Sequence, residues 1–309
     1  MEAALVRLVE TETGGDPEGQ AQYTRSSLRS LAARLGMCAT SVGCLLKPLG
    51  YSLKTNIKRL IGKPHPDRDR QYRFIQRVKT RFIRHGQPVI SVDAKKTELI
   101  GNFKNAGSRY CRQADEVNAY DFPSDAEGKA IPYGIYDVQA NHGWVNVGIS
   151  AATPEFAVAS IRQWWQQVGT KRYPQGNHLL IEADAGGCNG HRPRVWKYGL
   201  QQLANDTGLT ITVCHYPTGA SKWNPIEHRL FSQISRNWAG RPLRSYKLML
   251  SFIRGTRTEK GLWVEAVLDS RIYEKGIKVT DSLMKTINLK PQRICPNLNY
   301  TIKPNNLGK

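Results

Sequence analysis

Pro88-Val89-Ile90-Ser91-Val92-Asp93 and Leu179-Leu180-Ile181-Glu182-Ala183-Asp184 are two short apolar runs, each ending in an aspartate. Runs of this length, rich in β-branched and aliphatic residues, read as buried strands. Two more strands, 131–138 and 144–149, flank the turn Asn141-His142-Gly143, after a polar irregular stretch at 104–129. A helix follows, with Thr153 as N-cap and Pro154 at its first position. It turns Ala157, Ile161, Trp164, Trp165 and Val168 inward and stops at Gly169. Beyond the strand at 178–184, the pattern predicts a helix at 190–205, a strand at 209–215 and a helix at 223–237. The order βββαβαβα predicts an α/β fold: a three-stranded meander extended by two crossover strands, the ribonuclease-H-like mixed sheet.

In α/β sheets the strand ends build the site. Asp93 and Asp184 are expected on adjacent strands, and Glu227 closes Asn224-Pro225-Ile226-Glu227 at a helix start. Three such carboxylates suit a pair of Mg²⁺ ions, with Mn²⁺ as an alternative, which clamp the attacking and leaving oxygens of a phosphodiester. Each acid also has a plainer reading. Asp93 and Asp184 suit turns, and Asn224 with Glu227 matches a capping box. Glu182 shares a strand face with Asp184 and is its rival. Asp137 reads as a hairpin residue, and His215 and His228 as satisfied structural histidines. Gly186 and Gly187 leave room for a nucleic-acid backbone. Trp223 reads as a packing residue more readily than as a base-stacking one. Six cysteines include no C-x-x-C pair, and Cys188 with His191 and Cys214 with His215 lack repeated zinc-ligand spacing. Reduced thiols are the expectation.

Across 309 residues, 45 Lys and Arg face 25 Asp and Glu, giving a formal charge of +20. Such an excess points to a polyanion, nucleic acid first. No apolar run is long enough for a bilayer span, so a cytosolic protein that does not engage membranes is expected. Residues 25–84 hold 15 basic residues and 2 acidic ones, a net of +13. Within them, apolar positions 28, 31, 32 and 35, a stop at Gly36, and a second helix from Ala39 to Lys47 have helix-turn-helix spacing. Thr40 and Ser41 are candidates for base edges; Lys47, Lys54, Lys58 and Arg59 are candidates for phosphates. The division expected is 1–66 for this DNA-binding region, with residues 1–24 largely loop. Then come 67–86 as a connecting helix, 87–240 as the catalytic domain, and 241–309 as a C-terminal extension. That extension is expected to hold a strand at 262–268 and a short helix at 281–287.

Three long stretches carry a family resemblance: residues 89–105 (Val-Ile-Ser-Val-Asp-Ala-Lys-Lys-Thr-Glu-Leu-Ile-Gly-Asn-Phe-Lys-Asn), 128–137 (Gly-Lys-Ala-Ile-Pro-Tyr-Gly-Ile-Tyr-Asp), and 221–231 (Ser-Lys-Trp-Asn-Pro-Ile-Glu-His-Arg-Leu-Phe). In that order they resemble the DDE transposases of ISAzo-type bacterial insertion sequences, and the likeness runs from about residue 13 to about 303. The resemblance implies a metal-dependent DNA transposase with Asp93, Asp184 and Glu227 as its triad and metal ligands. It implies double-stranded DNA, element ends and target, as partner, and a homo-oligomer on that DNA. Lys95, Lys96, Lys222 and Arg229 lie beside the triad as candidates for phosphate contacts. Ala185 and Cys188 depart from the glycine run and Ser-Asn usual after the second aspartate. Family members carry more sequence before the helix-turn-helix. A decayed, truncated or regulatory copy that binds DNA without catalysis is therefore the rival expectation, and a nuclease of the same fold that cleaves without joining is a third.

Overall fold

The computed structural model describes residues 2–11, 13–15, 22–24, 26–53 and 66–305, and the chain divides into two units, Met1–Leu60 and Ile61–Lys309. In the first unit α1 (Glu2–Thr11) precedes a hairpin of β1 (Thr13–Gly15) and β2 (Gln22–Thr24). The described residues 2–11, 13–15 and 22–24 are thus not the loop expected from the charges and glycines of this stretch. Leu5 and Val9, one turn apart, are buried with Leu31, Ala32, Val42 and Leu46, and that burial holds the first helix. The next helices are α2 (Leu28–Leu35) and α3 (Ala39–Leu46). Ser27 caps the first by accepting from the Ser30 amide at 3.1 Å. Gly36 ends it at φ 61°, a left-handed conformation that costs glycine little. Small Ala32 is buried between the helices and accepts the Met37 amide at 3.1 Å. The two-helix spacing read from the sequence is therefore present.

The second unit begins with α4 (Arg68–Arg84), expected as a connector. Its apolar stripe, Ile75, Val78 and Phe82, is instead buried against Val89, Leu180, Cys214 and Tyr216 of a nine-stranded sheet. The strands are β3 (Val89–Ala94), β4 (Glu98–Ile100), β5 (Gly128–Asp137), β6 (His142–Gly148), β7 (His178–Asp184), β8 (Thr210–Tyr216), β9 (Trp263–Asp269), β10 (Leu289–Pro291) and β11 (Asn299–Ile302). They run in the order β10-β11-β8-β7-β3-β5-β6-β9, with β4 paired to β5. β3, β7 and β8 are mutually parallel, and β5 is antiparallel to both β3 and β6. The inner five are the meander and two crossovers of the ribonuclease-H-like fold. Residues 241–305 do not hang from this sheet; β9 lies parallel to β6 on one side and β11 antiparallel to β8 on the other.

Strand parity sorts the side chains. Ile90, Val92, Ile131, Tyr133, Ile135, Leu179, Ile181 and Ala183 share one core. It is closed by α5 (Pro154–Trp164), which runs on through a π-helical turn at Trp165–Gly169, and by α6 (Arg194–Thr207). The opposite face meets the π-helical turn Glu227–Phe231, α7 (Ser232–Asn237) and α8 (Tyr246–Arg254) over β5 and β6, and α4 over β7 and β8. A last short helix, α9 (Asp281–Lys285), falls within the short helix expected at 281–287. Among the described residues no helix is long and apolar enough to cross a membrane.

Candidate active site

Asp93 and Asp184 project from the ends of two neighbouring parallel strands, whose register pairs Val92 with Ala183. Because Val92 and Ala183 point into the α5–α6 core, alternation turns both aspartates to the other face. Glu227 reaches that face from the first turn after Asn224-Pro225-Ile226, where the backbone widens into a π-helical turn. Such turns are uncommon and are frequent at functional sites. Two glycines let this segment lie close on the sheet. A Cβ at Gly134, the residue paired with Asp93, would stand 2.6 Å from Phe231 Cε1 and 2.8 Å from Ile226 Cδ1. One at Gly143 would collide with Leu230.

The three carboxyls form one electrostatic group. Burial first, then the Asp184 charge, and further the charge and hydrogen bond of Glu227 push the Asp93 carboxyl up to about 8, against the pull of the Ala94 amide. That amide donates to Asp93 Oδ1 at 2.8 Å. Burial also raises Asp184, opposed by a hydrogen bond from Asn224 and reinforced by the Glu227 charge.

Asn224 is the residue that sequence reasoning missed. Its place before Pro225 suits a helix cap, but it is fully buried and its side chain turns into the site. Its Nδ2 donates to Asp184 Oδ1 at 3.0 Å and to the Val92 carbonyl at 3.4 Å. Its Oδ1 accepts from the Ser91 hydroxyl, which in turn accepts the Ile226 amide at 3.1 Å. One amide thereby ties both aspartate strands to the Glu227 segment. Behind Asp184 stands a second chain of bonds. Trp196 Nε1–H donates to Tyr300 Oη at 2.9 Å, Tyr300 Oη–H to His215 Nε2 at 3.2 Å, and His215 Nδ1–H to the Asp184 carbonyl at 3.0 Å. His215 is buried and its pKa is lowered, chiefly by desolvation, to about 3, so the ring is neutral with its proton on Nδ1. It is a satisfied structural histidine in its bonding, and what it supports is the Asp184 backbone.

The rival acids lie elsewhere. Glu182 is buried one rung below Asp184, with Lys79 Nζ at 2.9 Å and the Tyr216 hydroxyl at 3.0 Å. Asp137 sits at the far end of β5, bound by Arg172 at 3.2 Å and by the Tyr173 hydroxyl. His228 Nε2 bonds the Lys222 carbonyl at 2.8 Å. Trp223 packs against Tyr72 at 4.9 Å with the Arg68 guanidinium 4.5 Å from its ring centre.

Among the candidate phosphate contacts, Lys96, Lys222 and Arg229 are exposed. Lys95 is engaged instead, ion-paired to Glu98 at 3.0 Å and 4.9 Å from the Trp238 ring centre. Thr40 and Lys47 are exposed; Ser41 is half-buried and bonded to Cys38 Sγ. Lys54, Lys58 and Arg59 lie outside the described residues. Gly186 and Gly187 are exposed beside Asp184 with open space where a Cβ would stand.

Among the described residues no three His, Cys, Asp or Glu side chains form a ready-made metal cage. Mg²⁺ does not require one: it keeps several waters and takes one or two carboxylates together with substrate phosphates. Crowded acids that hold one member protonated near neutrality are the condition a divalent cation relieves. The donor set therefore fits hard divalent ions.

Comparison with solved structures finds the Mos1 mariner paired-end complex with Mn, 15% identical with a TM-score of 0.45, covering 80% of this chain and 68% of that one. The Mos1 strand transfer complex is 16% identical with a TM-score of 0.42, covering 82% and 69%. Comparison with curated proteins finds no match. The family described as Rhodopirellula transposase DDE domain matches residues 4–304. The two aspartates at strand ends and the glutamate that Asn224 binds to them thus lie in a match spanning nearly the whole sequence, and the chain belongs to this DDE transposase family.

Proposed function

We propose that the chain is a DNA transposase that cuts an insertion-sequence end and joins it to target DNA at one site built from Asp93, Asp184 and Glu227. The observation that carries the reading is the tie between Asn224 and Asp184, which fastens the Glu227 segment to both aspartate strands. Asp93, Asp184 and Glu227 would hold the divalent ions, Mg²⁺ or Mn²⁺. Bound divalent ions supply neutralisation of charge on the attacking and leaving oxygens of an in-line displacement.

The residues of the chain do the rest. Asn224 and His215 hold the Asp184 carboxylate and carbonyl in place, so the acids need no reorganisation as DNA enters. The open backbone at Gly186 and Gly187 admits the scissile phosphate. Lys96, Lys222 and Arg229 neutralise flanking phosphates. In the first step a water oxygen bonds to phosphorus and the 3′ oxygen leaves, giving a 3′-OH and a 5′-phosphate. In the second, that 3′-OH attacks a target phosphodiester and displaces the target's own 3′ oxygen. The α2–α3 pair, with Thr40 and Ser41 at the start of the second helix, reads the element end, and two ends are brought together by an oligomer.

The test is cleavage and joining on a labelled element-end duplex with Mg²⁺, comparing wild type with Asp184→Asn. Metal-dependent cleavage and joining lost in the variant supports the proposal. Binding without cleavage by either protein favours the non-catalytic DNA-binding reading. Cleavage that survives the substitution removes Asp184 from the triad.

A further inference from the structure

Helix α4 presents one feature that neither the carboxylate site nor the sheet uses. Arg70, Arg73, Arg77, Arg81 and Arg84 follow each other at intervals of three or four residues. At 3.6 residues per turn they fall on an arc of about 80° and form a stripe ~21 Å long. All five are exposed, while Gln71, Ile75, Val78 and Phe82 occupy the buried side of the helix.

The stripe is almost without counter-charge. Among the described residues only Arg70 meets an acid, Asp67 at 3.8 Å. The one other basic side chain of α4 in an ion pair is Lys79, which turns to the sheet and Glu182. Like charges at this spacing repel one another along a helix. The apolar packing of α4 on the sheet holds that repulsion in place. The arc also lies on the other side of the helix from Arg68 and Tyr72, the residues that touch Trp223 next to the Glu227 segment. A ligand along the stripe is therefore not threaded through the catalytic carboxylates.

We infer that the outer face of α4 is a rail for the phosphate backbone of duplex DNA, separate from the strand being cut. Its length matches about six base pairs of rise. Guanidinium groups suit phosphate oxygens through paired N–H donors, and a polyanion removes the repulsion within the stripe. The inference rests on the transposase reading for the identity of the partner, but its test does not require catalysis.

The experiment measures the affinity of the full chain for a random-sequence duplex, without divalent metal, as a function of salt. The wild type is compared with the triple substitution Arg73→Gln, Arg77→Gln, Arg84→Gln and with the triple lysine substitution at the same positions. Each phosphate contact contributes about −0.9 to the slope of log K against log salt. The glutamine variant is expected to have a slope shallower by up to ~2.7, so that between 50 and 200 mM salt the wild type loses about 40-fold more affinity than the variant. The lysine variant keeps most of the slope, and circular dichroism melts that coincide show that all three proteins fold alike. An unchanged slope in the glutamine variant overturns the inference. So does a loss confined to phosphatidylserine vesicles with duplex binding intact. Failure of the wild type to cleave would count against the proposed catalysis and leave this slope difference readable.

Discussion

Replacing Asn224 by aspartate changes two hydrogen-bond donors into acceptors at the one point where both aspartate strands meet the Glu227 segment. The Asn224 amide nitrogen lies 3.0 Å from Asp184 Oδ1. Two full charges at that separation repel by about 5–6 kcal/mol at an effective dielectric constant near 20. The pair escapes part of this by sharing a proton. Protonating an aspartate of unperturbed pKa about 3.9 costs about 4 kcal/mol at pH 7 and about 1.5 kcal/mol at pH 5. The smaller of repulsion and protonation sets the cost, so Asn224→Asp is expected to lose about 4 kcal/mol of stability at pH 7 and about 1.5 kcal/mol at pH 5. Urea unfolding of wild type and variant in chelator at the two pH values measures the difference, and effects common to both proteins cancel. The sign is distinctive: below pH 5 the new carboxyl is protonated, donates to Asp184 as the amide did, and the defect shrinks further. A defect that is the same at both pH values, or under 1 kcal/mol at pH 7, would refute the claim that Asn224 stabilises Asp184 as a carboxylate.

Tyr300→Phe removes the hydroxyl between Trp196 and His215 and leaves both buried groups unsatisfied. A loss of about 2–4 kcal/mol is expected, seen as a melting temperature lower by roughly 6–12 °C; a shift under 2 °C would mean that the bond chain does not support Asp184. Gly134→Ala places a methyl 2.6 Å from Phe231; strain of about 1–3 kcal/mol is expected, and because the strained segment carries Glu227, cleavage should fall at least about tenfold, measured beside its melting curve. In the metal-free chain, the Asp93 carboxyl pushed up to about 8 binds its proton more tightly folded than unfolded. That contribution is fully present below the unfolded value near 3.9 and is lost as pH rises to about 8. Melting curves with and without millimolar Mg²⁺ should therefore separate increasingly over that window, since metal must displace the proton; parallel curves would sink the assignment.

How much of this was legible in the sequence depends on the range of the interaction. Strand runs ending in Asp93 and Asp184 announce themselves because burial on both faces demands mostly apolar residues, broken here by one polar residue each, Ser91 and Glu182, and the helix at Thr153-Pro154 carries its cap within three residues. The pattern at Asn224-Pro225-Ile226-Glu227 marks a helix start, as the fold bears out, but its capping-box reading misplaces the Asn224 side chain. The local rule lets Asn bond its own turn, but the tertiary fold offers it Asp184, forty residues earlier, and Ser91. No spacing rule reveals a bond of that kind. The same holds at the C-terminal end. Asn299–Ile302 is a four-residue strand too short to stand out, and it adds to the sheet because β8 offers it an edge. Tyr300 on that strand completes the bonds that hold the Asp184 carbonyl.

The two glycines under the Glu227 segment connect the legible part to the hidden one. In a central strand, Gly134 and Gly143 read as weak points, since glycine packs nothing and loses the most entropy on ordering. In the folded sheet they lie beneath Phe231, Ile226 and Leu230, and their missing side chains set how closely the third carboxylate can approach the first two. Asp93 pairs across the ladder with one of them. A close three-acid site on this sheet therefore requires a residue with no side chain opposite its first aspartate, and the Glu227 charge brought close in this way adds to the burial and the Asp184 charge that raise the Asp93 pKa and that a divalent ion relieves by replacing the proton.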